Sequence, residues 1–197
     1  MKHKFRCRCG HLAGEVMEPR KAIRGVCYCK DCQAYANALG QRQSVLDDCG
    51  GTDVVATQSK YVVFTQGVQA LACLSLSEKG LLRWYASCCN TPIGNTLRNH
   101  RVPYVGLVHS CLGSNTEITS TFGAVQMQLN TKGASSRPTW KATGKLAALG
   151  KFVPSLLLGR LNGSYKVSPF FDFNQGSPIV KPKVLSQSEL QQARNAA

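Results

Sequence analysis

Seven of the ten cysteines in this 197-residue chain have spacings that suit metal coordination. In the stretch from Lys4 to Cys9, Phe5, Cys7 and Cys9 alternate with Lys4, Arg6 and Arg8. A strand here would present the thiols of Cys7 and Cys9 side by side, because side chains repeat with period two. That is half of a tetrahedral thiolate site; the same two positions also suit small buried hydrophobes. Cys27-Tyr28-Cys29-Lys30-Asp31-Cys32 is the stronger signal. Cys27 and Cys29 would share a strand face, and Cys29 and Cys32 have the Cys-x-x-Cys spacing of a zinc knuckle. Cys32 falls near the start of a predicted helix, where unpaired N–H groups favour a thiolate. A redox Cys-x-x-Cys is the competing reading, but the third cysteine and the lack of a parallel βαβ pattern oppose it. The adjacent Cys88 and Cys89 would point in opposite directions on an extended chain, so both reach one ion only if the chain turns at Asn90 and Pro92. Cys89 is the expected ligand and Cys88 the open fourth.

These thiols divide into two sites by number. Four thiolates close a structural zinc site, whereas three leave a position for water or substrate. An open, thiolate-rich zinc suits a further thiol. The expected cofactor is therefore zinc, one or two ions per chain. Cys49, Cys73 and Cys111 stand apart and read as buried side chains.

The elements that must position these residues are mostly strands in the first 131 residues. Val54–Thr57, Lys60–Gln66, Gln69–Ser75, Leu81–Tyr85 and Val102–His109 are rich in β-branched and aromatic residues, with turn signals at Gly50-Gly51, Gly67 and Gly80. One short helix is expected over Asp31–Leu39, stopped by Gly40. The pattern predicts a mainly β fold: twisted antiparallel sheets organised around zinc–cysteine sites, with a short helical C-terminal extension. The divide falls after residue 131, giving a zinc-binding β domain over 1–131 and a basic extension over 132–197 packed on it. Within the extension, Thr139–Asn162 has helical periodicity that Gly150 and Pro154 should break into two helices or a kink. Ser168–Asp172 reads as an ordered loop packing its phenylalanines, and the polar tail after Pro182 as mobile or weakly helical.

Composition excludes a chain disordered throughout, since 43% of residues are hydrophobic and 17% charged. No run is long enough for a membrane span. The N-terminus lacks the apolar core of a secretory signal, so a cytoplasmic location and reduced thiols are expected. The net charge is +14. Residues 132–197 carry ten Lys/Arg against two acids, a balance that attracts nucleic acid, an anionic membrane or small anions.

The order of these motifs resembles the glutathione-dependent formaldehyde-activating enzyme family, whose relatives include centromere protein V. Cys7-Arg8-Cys9-Gly10 with Gly14-Glu15-Val16, then Cys27-Tyr28-Cys29-Lys30-Asp31-Cys32, then Ala86-Ser87-Cys88-Cys89-Asn90 carry the resemblance, over roughly residues 5–110. It implies a structural zinc on Cys7, Cys9 and Cys89, and a catalytic zinc on Cys27, Cys29 and Cys32. It also implies addition of formaldehyde to glutathione. Ala86 replaces the first cysteine of the family's third motif and Asn90 its glycine, so the structural site either recruits Cys88, has three protein ligands or is weak.

The expected function is that of a zinc-dependent carbon–sulfur lyase acting on the adduct of glutathione, or another small thiol, with an aldehyde such as formaldehyde. Lys30 and Arg24 are candidates to meet glutathione's carboxylates, and His11 and His109 are the nearest histidines. The alternative is a zinc-scaffolded binding module whose basic C-terminal region meets nucleic acid, an anionic membrane or a protein.

Overall fold

A computed structural model describes residues 2–139, 142 and 144–196. Five strands and two helices come first: β1 Lys2–Arg6, β2 Ala13–Met17, β3 Ile23–Cys27, α1 Lys30–Ala38, α2 Arg42–Val45, β4 Thr52–Gln58 and β5 Val62–Gln66. There follow β6 Leu71–Ser75, β7 Leu82–Ala86, β8 Thr91–Thr96, β9 Tyr104–Val108, α3 Asn115–Phe122 and β10 Met127–Leu129. The C-terminal third holds α4 Lys145–Leu161, β11 Phe171–Asp172, β12 Ser177–Pro178, β13 Lys183–Val184 and α5 Gln187–Asn195.

The fold is mainly β, as expected, and is layered. A sheet of eight strands runs in the order β10-β3-β4-β9-β8-β7-β6-β13, and a smaller one in the order β1-β2-β5. Alternation along the strands of the large sheet separates its two faces. Val55, Val105, Leu107, Leu82 and Trp84 turn to one side, where they meet Phe5, Val16 and Val62 of the small sheet in the main core. Leu74 and Val108 turn to the other side, under Tyr35 of α1 and Ala193 of α5. Ile23 and Ala56 on that side lie under Ala148 and Phe152 of α4.

The structure departs from the sequence reading in several places. The pairing is mixed: β10 joins β3 and β13 joins β6 in parallel, at the two edges of an otherwise antiparallel sheet. β1 ends at Arg6, so Cys7 and Cys9 lie in a turn beyond the strand rather than on its face. Cys27 is the last residue of β3 and Cys29 the N-cap of α1, so they do not share a strand face either.

The helical segment expected from Thr139 begins partly on Trp140, Lys141 and Thr143, which lie outside the described residues. From Lys145 it is one helix and not two. Pro154 withholds its N–H from the carbonyl of Gly150, but Ala148, Phe152 and Gly159 are buried on either side of it, and that packing carries the helix through. The tail is an ordered helix. Ser186 and Glu189 form a reciprocal capping box at the start of α5. Asn37 of α1 donates from Nδ2 to the carbonyls of Ala193 and Ala196 at 2.7 and 2.9 Å.

Phe170 and Phe171 pack into the main core. Phe170 is fully buried, with its ring 5.1 Å from Trp84 and 5.6 Å from Phe64. Replacing Phe170 with Ala is expected to cost about 3–5 kcal/mol in urea unfolding, the range for emptying a buried aromatic site. A loss below about 1 kcal/mol would mean that this segment merely overlies a core that is complete without it.

Candidate metal centre

The first cluster is made by two turns. After β1 the chain reverses tightly: the Cys7 N–H donates to the Leu12 carbonyl at 2.8 Å, and Gly10 takes a positive φ of 78°. The Leu12 N–H in turn donates to Cys7 Sγ at 3.3 Å. The second turn, 87–90, joins β7 to β8. Asn90 adopts a left-handed φ of 54°, a conformation its short polar side chain tolerates. This bend resolves the difficulty of adjacent cysteines, because Cys88 and Cys89 no longer point to opposite sides of an extended chain.

Cys7, Cys9, Cys88 and Cys89 have all four sulfurs within 4.8 Å of one another. Cys9 to Cys88 is 3.3 Å, Cys7 to Cys9 3.5 Å, Cys7 to Cys88 3.8 Å and Cys88 to Cys89 3.9 Å. A disulfide needs about 2.05 Å, so none of these is bonded. Four sulfurs each about 2.3 Å from a central zinc would sit about 3.8 Å apart, close to what is seen. The donor set therefore fits a closed tetrahedral metal site, with Cys88 as the fourth member. Ala86, where the family motif has cysteine, is buried in the main core. Burial opposes ionisation of Cys89, but hydrogen bonds from Thr91 and the Cys9 backbone outweigh it and bring the thiol down to about 6.

The second cluster is built from one short stretch. Cys27, Cys29 and Cys32 have their sulfurs within 4.8 Å of one another. As N-cap of α1, Cys29 accepts the Cys32 N–H on its sulfur at 3.3 Å. Tyr28 between them points elsewhere, donating its hydroxyl to Asp47 at 3.2 Å. Hydrogen bonds from Cys29 and then Cys32 hold the Cys27 thiol down to about 2, and the same interactions raise Cys29 and Cys32. Asn130 also donates from Nδ2 to Cys27 Sγ at 3.4 Å. It follows β10, whose parallel pairing sets Leu129 opposite Cys27. Nothing in the cysteine spacing pointed to Asn130.

These three thiols offer a metal ion three ligands and leave a fourth side open. All three line a cavity of about 230 Å³, walled by Ile23, Met127 and Leu129 and bearing Arg83, Asn95 and Tyr104. A larger trough of about 720 Å³ beside β1 and α3 holds neither cluster.

Other residues singled out in the sequence lie apart from this cavity. Arg24 is 2% exposed and committed elsewhere. It donates to Asp53 at 2.6 Å, to Asn115 at 2.6 Å, to Thr119 at 2.9 Å and to the Gly123 carbonyl at 3.1 Å, so it is a buried structural cation and not a substrate contact. Lys30 is exposed and, among the described residues, reaches only Gln33, at 3.4 Å. His11 pairs with Gln69, and His109 donates to the Asp53 carbonyl; neither lines the cavity. Cys73 and Cys111 are buried, and burial pushes both thiols up to about 12. Cys49 is only half-buried, with its sulfur 3.1 Å from the Ser136 hydroxyl.

Among solved structures, the chain is similar to a crystal structure of a Rhodobacter sphaeroides protein, Northeast Structural Genomics target RhR83. The identity is 17% and the TM-score 0.42, covering 64% of this chain and 98% of that one. No curated protein matches the sequence. Over residues 3–181 the sequence matches a family of unknown function, DUF6151, and the chain belongs to that family.

Proposed function

We propose that the protein is a zinc enzyme of the carbon–sulfur lyase type, which joins a small thiol to an aldehyde such as formaldehyde, or releases the two from their adduct. The observation that carries this reading is the Cys27–Cys29–Cys32 triad on the floor of a cavity, with its fourth side open. A closed four-thiol cluster elsewhere in the same chain is the natural structural partner of such a site.

The reaction needs no redox partner. In the forward direction the thiol sulfur bonds to the carbonyl carbon, the carbon–oxygen π pair moves to oxygen, and the thiol proton ends on that oxygen. In reverse, the carbon–sulfur bond breaks and its electron pair returns to sulfur. A zinc ion held by the triad would lower the pKa of the incoming thiol and polarise the carbonyl. The protein's own contribution is positional. Cys29 and Cys32 are set by the first turn of α1, Cys27 by the end of β3, and Asn130 steadies Cys27 from the side. Ile23, Met127 and Leu129 give the cavity an apolar wall.

A second reading of another part of the molecule is favoured by α4. Its outward residues Leu146, Val153, Leu157 and Leu161 are 87%, 47%, 58% and 82% exposed, opposite the face that packs through Ala148 and Phe152. No Asp or Glu occurs between Glu117 and Asp172, whereas Lys132, Arg137, Lys141, Lys145, Lys151, Arg160 and Lys166 do. An apolar stripe among cations suits the surface of an anionic bilayer. No helix among the described residues is long and apolar enough to cross one.

Two measurements test these readings. The metal content of wild type is expected to be about two zinc per chain, falling to about one in both Cys27→Ser and Cys88→Ser. Full retention in Cys27→Ser would sink the open site, and full retention in Cys88→Ser would remove Cys88 from the closed one. Co-sedimentation should show binding to vesicles containing phosphatidylserine and not to phosphatidylcholine alone. Leu157→Glu with Leu161→Glu should weaken it about tenfold or more, from at least ~1.5 kcal/mol per buried leucine. Equal binding by that variant, or binding to duplex DNA that the variant leaves unchanged, would overturn the membrane reading.

A further inference from the structure

Asn95 is 6% exposed and lines the cavity of the triad. Its Oδ1 accepts from Arg83 Nη1 at 3.3 Å. A guanidinium can only donate, so this contact settles which end of the amide is which and turns Nδ2 away from Arg83. Among the described residues Nδ2 has no hydrogen-bond partner, and it is not sealed in the interior as Arg83 Nε is. A buried amide whose N–H donors are free and reachable calls for an explanation.

Strand pairing sets a second donor beside it. Asn95 on β8 lies opposite Gly106 on β9, and Gly106 lies opposite Ala56 on β4. Directly opposite residues share a face, so these three form one row, and Asn95 and Ala56 at its ends both line the cavity. Tyr104, two residues before Gly106, is on the same face and also lines the cavity. Its hydroxyl lies over Gly106, where a Cβ would come within 2.6 Å of it, so glycine leaves the room that the hydroxyl occupies. The ring packs edge-on against Phe152 with centres 6.4 Å apart. Like Asn95 Nδ2, the hydroxyl has no partner among the described residues and is not sealed in. Burial pushes the phenol up to about 12, so it keeps its proton and donates.

We propose that Asn95 Nδ2 and the Tyr104 hydroxyl are a pair of catalytic donors that together hold the aldehyde's carbonyl oxygen. The inference rests on the lyase reading above. As the thiol sulfur bonds to carbon, the carbon–oxygen π pair moves onto that oxygen and charge builds there. Both donors bond to the oxygen more strongly as it becomes an oxyanion, until it takes the thiol's proton. In reverse they hold the adduct's oxygen while the carbon–sulfur bond breaks. The amide reaches the oxygen in a fixed orientation, because Arg83 occupies its other end.

The test follows exchange between formaldehyde, 2-mercaptoethanol and their adduct by NMR on the zinc-loaded full chain. A second readout is the carbonyl stretch of bound propanal in infrared difference spectra. Tyr104→Phe keeps the ring against Phe152 and is expected to lower kcat about a hundredfold, the loss on removing one donor to a developing oxyanion. Asn95→Asp keeps an acceptor for Arg83 but removes both N–H donors, and should lose at least as much. Zinc content should stay at the wild-type level in both, and the propanal stretch should move to higher frequency as its hydrogen bonds are lost. Rates within about threefold of wild type, a stretch that does not move, or a loss in one variant alone would overturn the paired donors while leaving the lyase reading standing. If zinc-loaded wild type leaves exchange at its uncatalysed rate, the lyase reading fails and the donor role fails with it. Tyr104→Phe decides the matter even if Asn95→Asp does not fold.

Discussion

The four-cysteine cluster, and one wall of the cavity beside the other cluster, depend on how β7 is held. Trp84 is fully buried, its ring N–H donates to Thr96 Oγ1 at 2.9 Å, and it stacks against Phe170. With that side chain fixed in the core, the period of two dictates the rest of the strand. Arg83 must face the cavity of the triad, and Ala86 must fall in the core. The chain then leaves the sheet at the turn that carries Cys88 and Cys89. A slip of one residue would turn Tyr85 and Arg83 into the main core and Trp84 out of it. One strand thus sets the wall of the open site and a full half of the closed one.

The strand's own pairing protects that register. Arg83 lies opposite Asn95, and Leu82 opposite Thr96, until the register shifts between Trp84 and Tyr85. The shift coincides with Pro92, which sits opposite Tyr85 and has no N–H to give the ladder. Proline in an interior strand is tolerated at such irregularities. Gly94, two residues on, is needed for a different reason: a Cβ there would come 2.8 Å from the Gly106 carbonyl of β9. These are the residues that hid β8 from the sequence pattern, where proline and glycine count against a strand. β3, with Gly25 at its centre, was anticipated only at its end, where Cys27 was placed on a strand.

What could be read in the sequence was what is local. Cys-x-Cys-x-x-Cys places three thiols within six residues, and the strand-to-helix junction that gathers them needs no long-range information. The helix at α1 and the strand segments rich in β-branched residues were legible in the same way. The capping box of α5 was present as Ser186-x-x-Glu189, but its weakly apolar sequence gave no sign that Ala193 packs against α1. Asn130, Asn95 and Arg83 could not be assigned to the site, because they reach it only through pairings of β10 with β3 and of β7 with β8. Arg24 was misjudged for the mirror-image reason: proximity to Cys27 in sequence says nothing of Asp53 on the neighbouring strand.

The two clusters also differ in what a metal ion would do to the chain. Joining Cys7 and Cys9 to Cys88 and Cys89 closes a loop of about eighty residues, where the entropy removed from the unfolded state is large. It ties the end of β1, in the small sheet, to the β7–β8 turn of the large one, so binding there is coupled to the packing of one sheet on the other. The triad spans only 27–32, and an ion there closes almost no loop; it gives the fold little that the β3–α1 junction does not already provide. A site that contributes so little cross-linking and lines a cavity is poorly explained as a staple. Its arrangement is the one expected where the ion's remaining ligand comes from outside the protein.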